Sequence, residues 1–246
     1  MGKPLKEANG EIGYGISGYE DELKEIAEAH EPDHHEDDNT TSTLFYDPLG
    51  VCAAITPWNF PFLMPMQVVV PALVAGNTVV MKPSEETPLT GEAFARIFMD
   101  ILPPDVLQII HGSDDQGKAL VKSDVNLIGF VGSRAAGQHI LSTAGADLKR
   151  VVLELGGKDP MIVLKNADID DAADFAVRNS FRNCGQVCVS TERIYVEDDI
   201  ADAFEQAVLE RTAALKVGDG ALEETTIGPM ISREQKEHVI AQLERA

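Results

Sequence analysis

From about residue 44 the chain alternates short, β-rich apolar runs with stretches of helical periodicity. The apolar runs are GVCAAI (50–55), NTVVMK (77–82), VLQIIH (106–111), LIGFVG (127–132) and RVVLEL (150–155). The first helix, roughly 64–75, stops at Gly76, a residue suited to the left-handed position that closes a helix. A second opens with Thr87 as N-cap and Pro88 at the first helical position. A third begins near Asp115 and a fourth covers roughly 134–143. Five apolar strands joined by four crossover helices predict a parallel sheet with helices on both faces, a doubly wound α/β nucleotide-binding architecture.

Past Gly157 the pattern changes. A strand at PMIVL (160–164) leads to a helix with Asp168 as N-cap and Ile169, Ala172, Ala176 and Val177 on one face. A strand at RIYVE (193–197) and a helix over roughly 199–215 follow. These predict the beginning of a second α/β domain. The expected division is therefore 1–157, carrying an acidic N-terminal segment 1–43, and 158–246, an incomplete second domain. There is no internal repeat and no low-complexity tract.

Composition narrows the function classes. The 246 residues carry a net charge of −21, which argues against a nucleic-acid binder, since that needs a basic footprint. Residues 1–50 hold thirteen of the acidic side chains against three basic ones. No run approaches the roughly 18–20 uninterrupted apolar residues of a membrane span; the longest, MPMQVVVPALVAG (64–76), reads as a buried helix. The N-terminus has no apolar signal core, and three cysteines in a chain this long point to a reducing compartment, so a cytoplasmic protein is expected. His34 and His35 sit in the acidic run EPDHHEDDN (31–39), where a metal site competes with the more ordinary role of solvated loop residues; no metal is expected.

Several stretches carry candidate chemistry. GFVGSRAAGQ spaces Gly132 and Gly137 across a strand-to-helix turn where Ser133 and backbone N–H groups can face a pyrophosphate, although a structural turn explains the glycines equally well. VVMKPSEETP places Lys82, Ser84 and Glu85 at the carboxyl end of the second strand, where such folds bind ligands. Lys82 and Glu85 suit ribose hydroxyls, or simply a salt-bridged loop. ITPWNFP sets Asn59 on a turn stiffened by Pro57 and Pro61, beside Trp58, so that its amide can aim at a developing oxyanion or merely fill an apolar corner. LELGGKDP puts Glu154 among apolar neighbours at the end of the fifth strand, ahead of Leu155 and Gly156; burial there would raise its pKa and suit a general base. Finally, SFRNCGQVCVS holds Cys184 and Cys188 four apart, which fits half a metal site, a redox pair, core filling or a nucleophile with a spectator.

Taken together and in this order, PWNFP, KPSEETP, GFVGSRAAG, LELGGK and F-x-N-x-G-Q-x-C resemble the aldehyde dehydrogenase superfamily, and the likeness covers essentially the whole chain. The resemblance implies that Cys188, two places after Gly-Gln, is the nucleophile and that Cys184, on a variable position, is a spectator. A zinc pair would need two further ligands at suitable spacing. Ser190 departs mildly from the family, which usually has a very small residue there. By the same resemblance, Cys188 attacks an aldehyde and Asn59 with the Cys188 N–H holds the oxyanion. A hydride leaves for the nicotinamide, and Glu154 activates the water that hydrolyses the thioester to a carboxylic acid. Relatives that transfer the acyl group to coenzyme A typically lack a glutamate at the position of Glu154.

The family also places the adenine ribose against the equivalents of Lys82 and Glu85. A carboxylate there accepts a hydrogen bond from NAD but repels the 2′-phosphate of NADP, so NAD is the expected cofactor and NADP the less favoured. Gly132, Ser133 and Gly137 would line the pyrophosphate. Ile55, Thr56, Pro57 and Trp58 would lie along the cofactor path, with Ser84, Leu155 and Gly156 near it. The expected partner is a small-molecule aldehyde. Family members are homo-oligomers about twice this length, which implies that the wall holding the nicotinamide ribose and much of the substrate tunnel fall outside this sequence. Two function classes follow: an NAD-dependent aldehyde dehydrogenase or part of one, and a shortened module that binds nucleotide weakly with little catalysis.

Overall fold

The computed structural model describes residues 1–245. In chain order the elements are α1 (Leu5–Ile16), α2 (Tyr19–Glu28), β1 (Asp33–Glu36), β2 (Thr41–Leu44), β3 (Val51–Ile55), α3 (Leu63–Val74), β4 (Thr78–Lys82), α4 (Pro88–Met99), β5 (Leu107–Ile109), α5 (Asp114–Lys122), β6 (Leu127–Val131), α6 (Arg134–Ala144), β7 (Arg150–Glu154), β8 (Asp159–Val163), α7 (Ile169–Phe181), β9 (Thr191–Val196), α8 (Ala201–Ala213) and α9 (Arg233–Leu243). They form two compact units. One is Gly10–Leu155; the other joins Met1–Asn9 to the chain from Gly156 onward.

The first unit is built on a five-stranded sheet, order β5-β4-β3-β6-β7, with every pair parallel. Its strands are apolar on both faces, and alternate residues feed two separate cores. Cys52, Ala54, Val79 and Met81 pack with Met66, Val69 and Phe94 of α3 and α4. Ala53, Ile55, Ile128 and Phe130 pack with Leu120 and Val121 of α5 and with Ile140 of α6. Helices therefore cover both faces, as the sequence pattern predicts.

The second unit pairs β8 with β9 in parallel, and α7 and α8 pack on that pair through Val163, Ala173, Ala176 and Phe204. Asp168 caps α7 as expected, its carboxylate accepting from the N–H groups of Asp170 and Asp171 at 2.9 and 3.1 Å. Arg211 of α8 clamps α7 by pairing with Asp170 and Asp174.

Two places add detail to the expected pattern. Thr87 does occupy the N-cap of α4 with Pro88 behind it, but its side chain makes no capping bond, and Oγ1 is buried without a hydrogen-bond partner among the described residues. The acidic segment forms α1, α2 and the antiparallel β1–β2 hairpin, so the run around His34 and His35, read as a solvated loop, is a hairpin, every residue of which is exposed. Its first nine residues cluster with the second unit, while Glu11 caps α3, accepting from Phe62 and Leu63 N–H at 2.9 and 3.1 Å. A carboxylate suits that place because a helix N-terminus presents unpaired N–H groups and partial positive charge. Among the described residues no helix is long and apolar enough to cross a membrane, and no group of three or more His, Cys, Asp or Glu side chains is placed to hold a metal ion. His34 lies in the hairpin with Nδ1 3.0 Å from Thr43 Oγ1.

Candidate active site

Strand β3 is paired with β4 on one side and β6 on the other, with Ile55 level with Lys82 and Phe130. The chain winds outward through β4 and β5 in one direction and through β6 and β7 in the other. The loops leaving β3 and β6 therefore diverge at the carboxyl edge, the switch point where open α/β sheets hold ligands. Most of the candidate residues on this unit gather there.

After β3, buried Thr56 docks onto β4 by donating its N–H to Lys82 O at 3.1 Å. Pro57, Trp58 and Asn59 follow, all half-buried. The Asn59 Oδ1 accepts the Phe60 N–H at 3.1 Å, which orients the amide on its turn. At the end of β4 the Lys82 ammonium is buried, donating to Pro83 O at 3.0 Å and to Glu85 Oε2 at 3.4 Å. Glu85 stays half exposed, so the pair offers a carboxylate with its orientation set by a fixed cation. Buried Ser84 accepts the Glu86 N–H at 3.2 Å and rounds the turn.

After β6 comes α6, capped by Ser133, whose Oγ accepts the Ala136 N–H at 3.3 Å. The N–H of Gly132 donates to Glu154 O at 3.0 Å, tying the ends of β6 and β7 together. A Cβ at Gly137 would meet Leu155 Cδ2 at 2.8 Å, so the glycine lets the first turn of α6 lie close over the chain leaving β7. A helix N-terminus so placed suits a diphosphate, and the Lys82–Glu85 pair suits a diol. Glu154 ends β7, an edge strand, and its side chain is exposed. The expected apolar surroundings are therefore absent in the described chain.

The second unit carries Gly156 and Cys188. Asn183, Cys184 and Gly185 adopt φ of 51°, 58° and 73°, three successive left-handed residues, two of them not glycine. Such a run persists only where its surroundings over-determine it, and it is a mark of functional sites. Asn183 is 3% exposed. Its Nδ2 donates to Gln186 O at 3.3 Å, and Gln186 Nε2 returns a bond to Asn183 O at 2.9 Å. Gln186 Oε1 accepts the Ile231 N–H at 3.0 Å. Ser190, the mild departure from family pattern, is buried and donates to Asn179 O at 3.0 Å and Ser180 O at 3.3 Å, locking the far end of the turn to the last residues of α7.

All three cysteines are free. Burial pushes the Cys52 thiol up. Burial, and then the charge of Glu7, push the Cys184 thiol up as well. The thiolate is the nucleophilic form, so both are disfavoured for attack. Sequence reading passed over Asn183 and Gln186 as residues with a task, although both stand in the F-x-N-x-G-Q-x-C motif and Asn is among the few residues that tolerate positive φ.

A doubly wound unit with its ligand-binding edge at the switch point is the frame of nucleotide-dependent oxidoreductases. The particular kind follows from comparison with known proteins. Residues 1–246 match the aldehyde dehydrogenase family, and the chain belongs to it. Mitochondrial succinate-semialdehyde dehydrogenase of Arabidopsis thaliana is 43% identical over 238 residues, covering 94% of this chain and 45% of that protein. Succinate-semialdehyde dehydrogenase (NADP+) of Escherichia coli is 38% identical, covering 100% and 52%. The crystal structure of betaine aldehyde dehydrogenase from Staphylococcus aureus in complex with NAD+ superposes with a TM-score of 0.85 at 33% identity, over 90% of this chain and 45% of that one. The chain spans about half the length of the curated relatives it matches.

Proposed function

We propose that the chain carries the nucleotide-binding unit and the nucleophile of an NAD-dependent aldehyde oxidation yielding a carboxylic acid. The observation that carries this is the strained, multiply hydrogen-bonded turn ending at Cys188, in a chain where burial pushes the other two thiols up. Cys188, its thiol proton lost to solvent, adds as the thiolate to the aldehyde carbonyl; the C–S bond forms as the C=O π bond opens to an oxyanion. The Asn59 amide and the Cys188 N–H donate to that oxygen. NAD, when bound, supplies the hydride acceptor. Loss of hydride from the thiohemiacetal carbon leaves a thioester on Cys188. Glu154, exposed to water at the end of β7, removes a proton from the water that attacks the thioester; the acid leaves and the thiol is restored.

The residues at the carboxyl edge suit the cofactor. Ser133 and the α6 N-terminus would hold the pyrophosphate, with Gly132 and Gly137 allowing its approach. Lys82 and Glu85 would take the adenine ribose, and Ile55, Thr56, Pro57, Trp58, Ser84, Leu155 and Gly156 would border the path. A carboxylate at Glu85 favours NAD over NADP, because a 2′-phosphate would face a like charge. Relatives named for succinate semialdehyde support, as the substrate class, a semialdehyde whose other end is a carboxylate. Free cysteines support a reducing compartment, and cytoplasm is the proposed location.

The test is NADH formation with a panel of aldehydes, succinate semialdehyde included. The unaltered chain should form NADH and Cys188→Ala should not; NADH formation at the same measurable rate in both would remove Cys188 from the chemistry. A second function stays in contention because the chain spans about half of its relatives: a module that binds nucleotide weakly and oxidises little. Measurable NAD binding without aldehyde-dependent NADH formation would select it.

A further inference from the structure

The α1 segment reaches the nucleophile turn across 176 residues of sequence. Glu7 Oε2 accepts the Asn183 N–H at 3.0 Å, and both residues belong to the same compact unit. The segment carrying Glu7 is itself tied down, Leu5 N–H donating to Gly220 O at 3.0 Å. Asn183 is almost wholly buried, so its N–H must be paired, and a carboxylate partner makes the stronger, charge-assisted kind of bond. That bond falls on the first of the three left-handed residues, where the chain leaves α7 and bends toward Cys188.

We propose that Glu7 is a positioning residue for the nucleophile: its carboxylate holds the left-handed run 183–185 in the conformation that presents Cys188. The inference rests on Cys188 being the nucleophile. Two side effects of the same geometry agree with it. Burial raises the Glu7 carboxyl from its usual value, opposed by the Asn183 N–H and by Lys3 and Arg182, the charged groups that face it. The Cys184 thiol is raised by burial and by Glu7. One acidic side chain thus braces the turn from the far end of the chain.

The test is site-resolved alkylation by iodoacetamide, read by peptide mass across a pH series, on the purified chain and its Glu7→Gln and Glu7→Ala variants. Glu7→Gln keeps an acceptor for the Asn183 N–H, so Cys188 should react within about twofold of the unaltered rate, while Cys184 labelling moves to lower pH. Glu7→Ala should slow Cys188 about tenfold, the scale of losing a hydrogen bond to a charged group. If Glu7→Ala does not fold, the Cys184 profile in Glu7→Gln still decides. An unmoved Cys184 profile in Glu7→Gln, or an unchanged Cys188 rate in a folded Glu7→Ala, overturns the role of Glu7 alone. Cys184 as the fast thiol of the unaltered chain overturns the nucleophile assignment and this role with it.

Discussion

Gly157→Ala probes how closely the chain after β7 packs on Cys188, the proposed nucleophile. A methyl carbon at Gly157 would lie well inside the 3.0 Å that side-chain carbons do not breach, against both the Asp159 carboxylate and the Cys188 carbonyl oxygen. The two obstacles are unequal. Asp159 Oδ2 is buried with no hydrogen-bond partner among the described residues, so that side chain can rotate away at little loss. The Cys188 carbonyl is main chain, and it must retreat by roughly half an ångström or more. A misplacement of about 1 Å at a reacting group costs on the order of 10²-fold, so acylation of Cys188 should fall about 10- to 10²-fold. Overpacking should also lower stability by about 1–3 kcal/mol, visible in urea denaturation. The assay is the burst of nitrophenol from p-nitrophenyl acetate, which reports thiol acylation without any need for nucleotide. A burst rate equal to that of the unaltered chain would show that the Gly157 contact does not set the position of Cys188.

Glu154→Gln should cut aldehyde turnover by at least about 10²-fold and let the thioester accumulate, detectable as an acyl mass on the Cys188 peptide; undiminished turnover would exclude it as the base. NAD should bind more tightly than NADP by calorimetric titration, and Glu85→Gln should narrow the gap by removing the repelling charge; equal affinities in the unaltered chain would refute the placement of Glu85. The Glu92 carboxyl is held below its ordinary 4.5 by hydrogen bonds from His111 and then Arg96, at 2.9 Å each. A lowered carboxyl contributes stability that is present above the ordinary value and lost as pH falls through the folded one. Glu92→Gln should therefore flatten the acid side of the stability–pH curve and leave its neutral side sloping as before, as measured by urea denaturation; an unchanged acid limb would refute the clamp.

The central sheet was legible because strands such as GVCAAI and LIGFVG are apolar on both faces, a pattern that solvent tolerates only where helices cover both sides. Asp168 was legible as a cap because its effect is local, acting on N–H groups two and three residues on. The stretches holding Lys82, Asn59 and Cys188 were legible as family motifs, each carried by a few adjacent residues. The exposure of Glu154 was not: its neighbours in sequence are apolar, and only the strand order puts β7 at an edge. The β1–β2 hairpin was silent because every position is exposed, so no alternation marks it.

What sequence alone determined, then, is everything set by local propensity and by the period of the apolar residues: the strands, most helices and the order of the motifs. Tertiary structure decided the roles of residues with distant partners. Glu7 and Glu11 look like two more charges in an acidic tail, yet one accepts the Asn183 N–H and the other caps α3. Cys184 and Cys188 share a turn, and the Cys184 thiol is pushed up by burial and by Glu7, a carboxylate from the other end of the chain. The physical reason is the same in each case. A charge or a thiol takes its character from the groups packed around it, and those groups are brought there by folding, from positions that no local window of sequence contains.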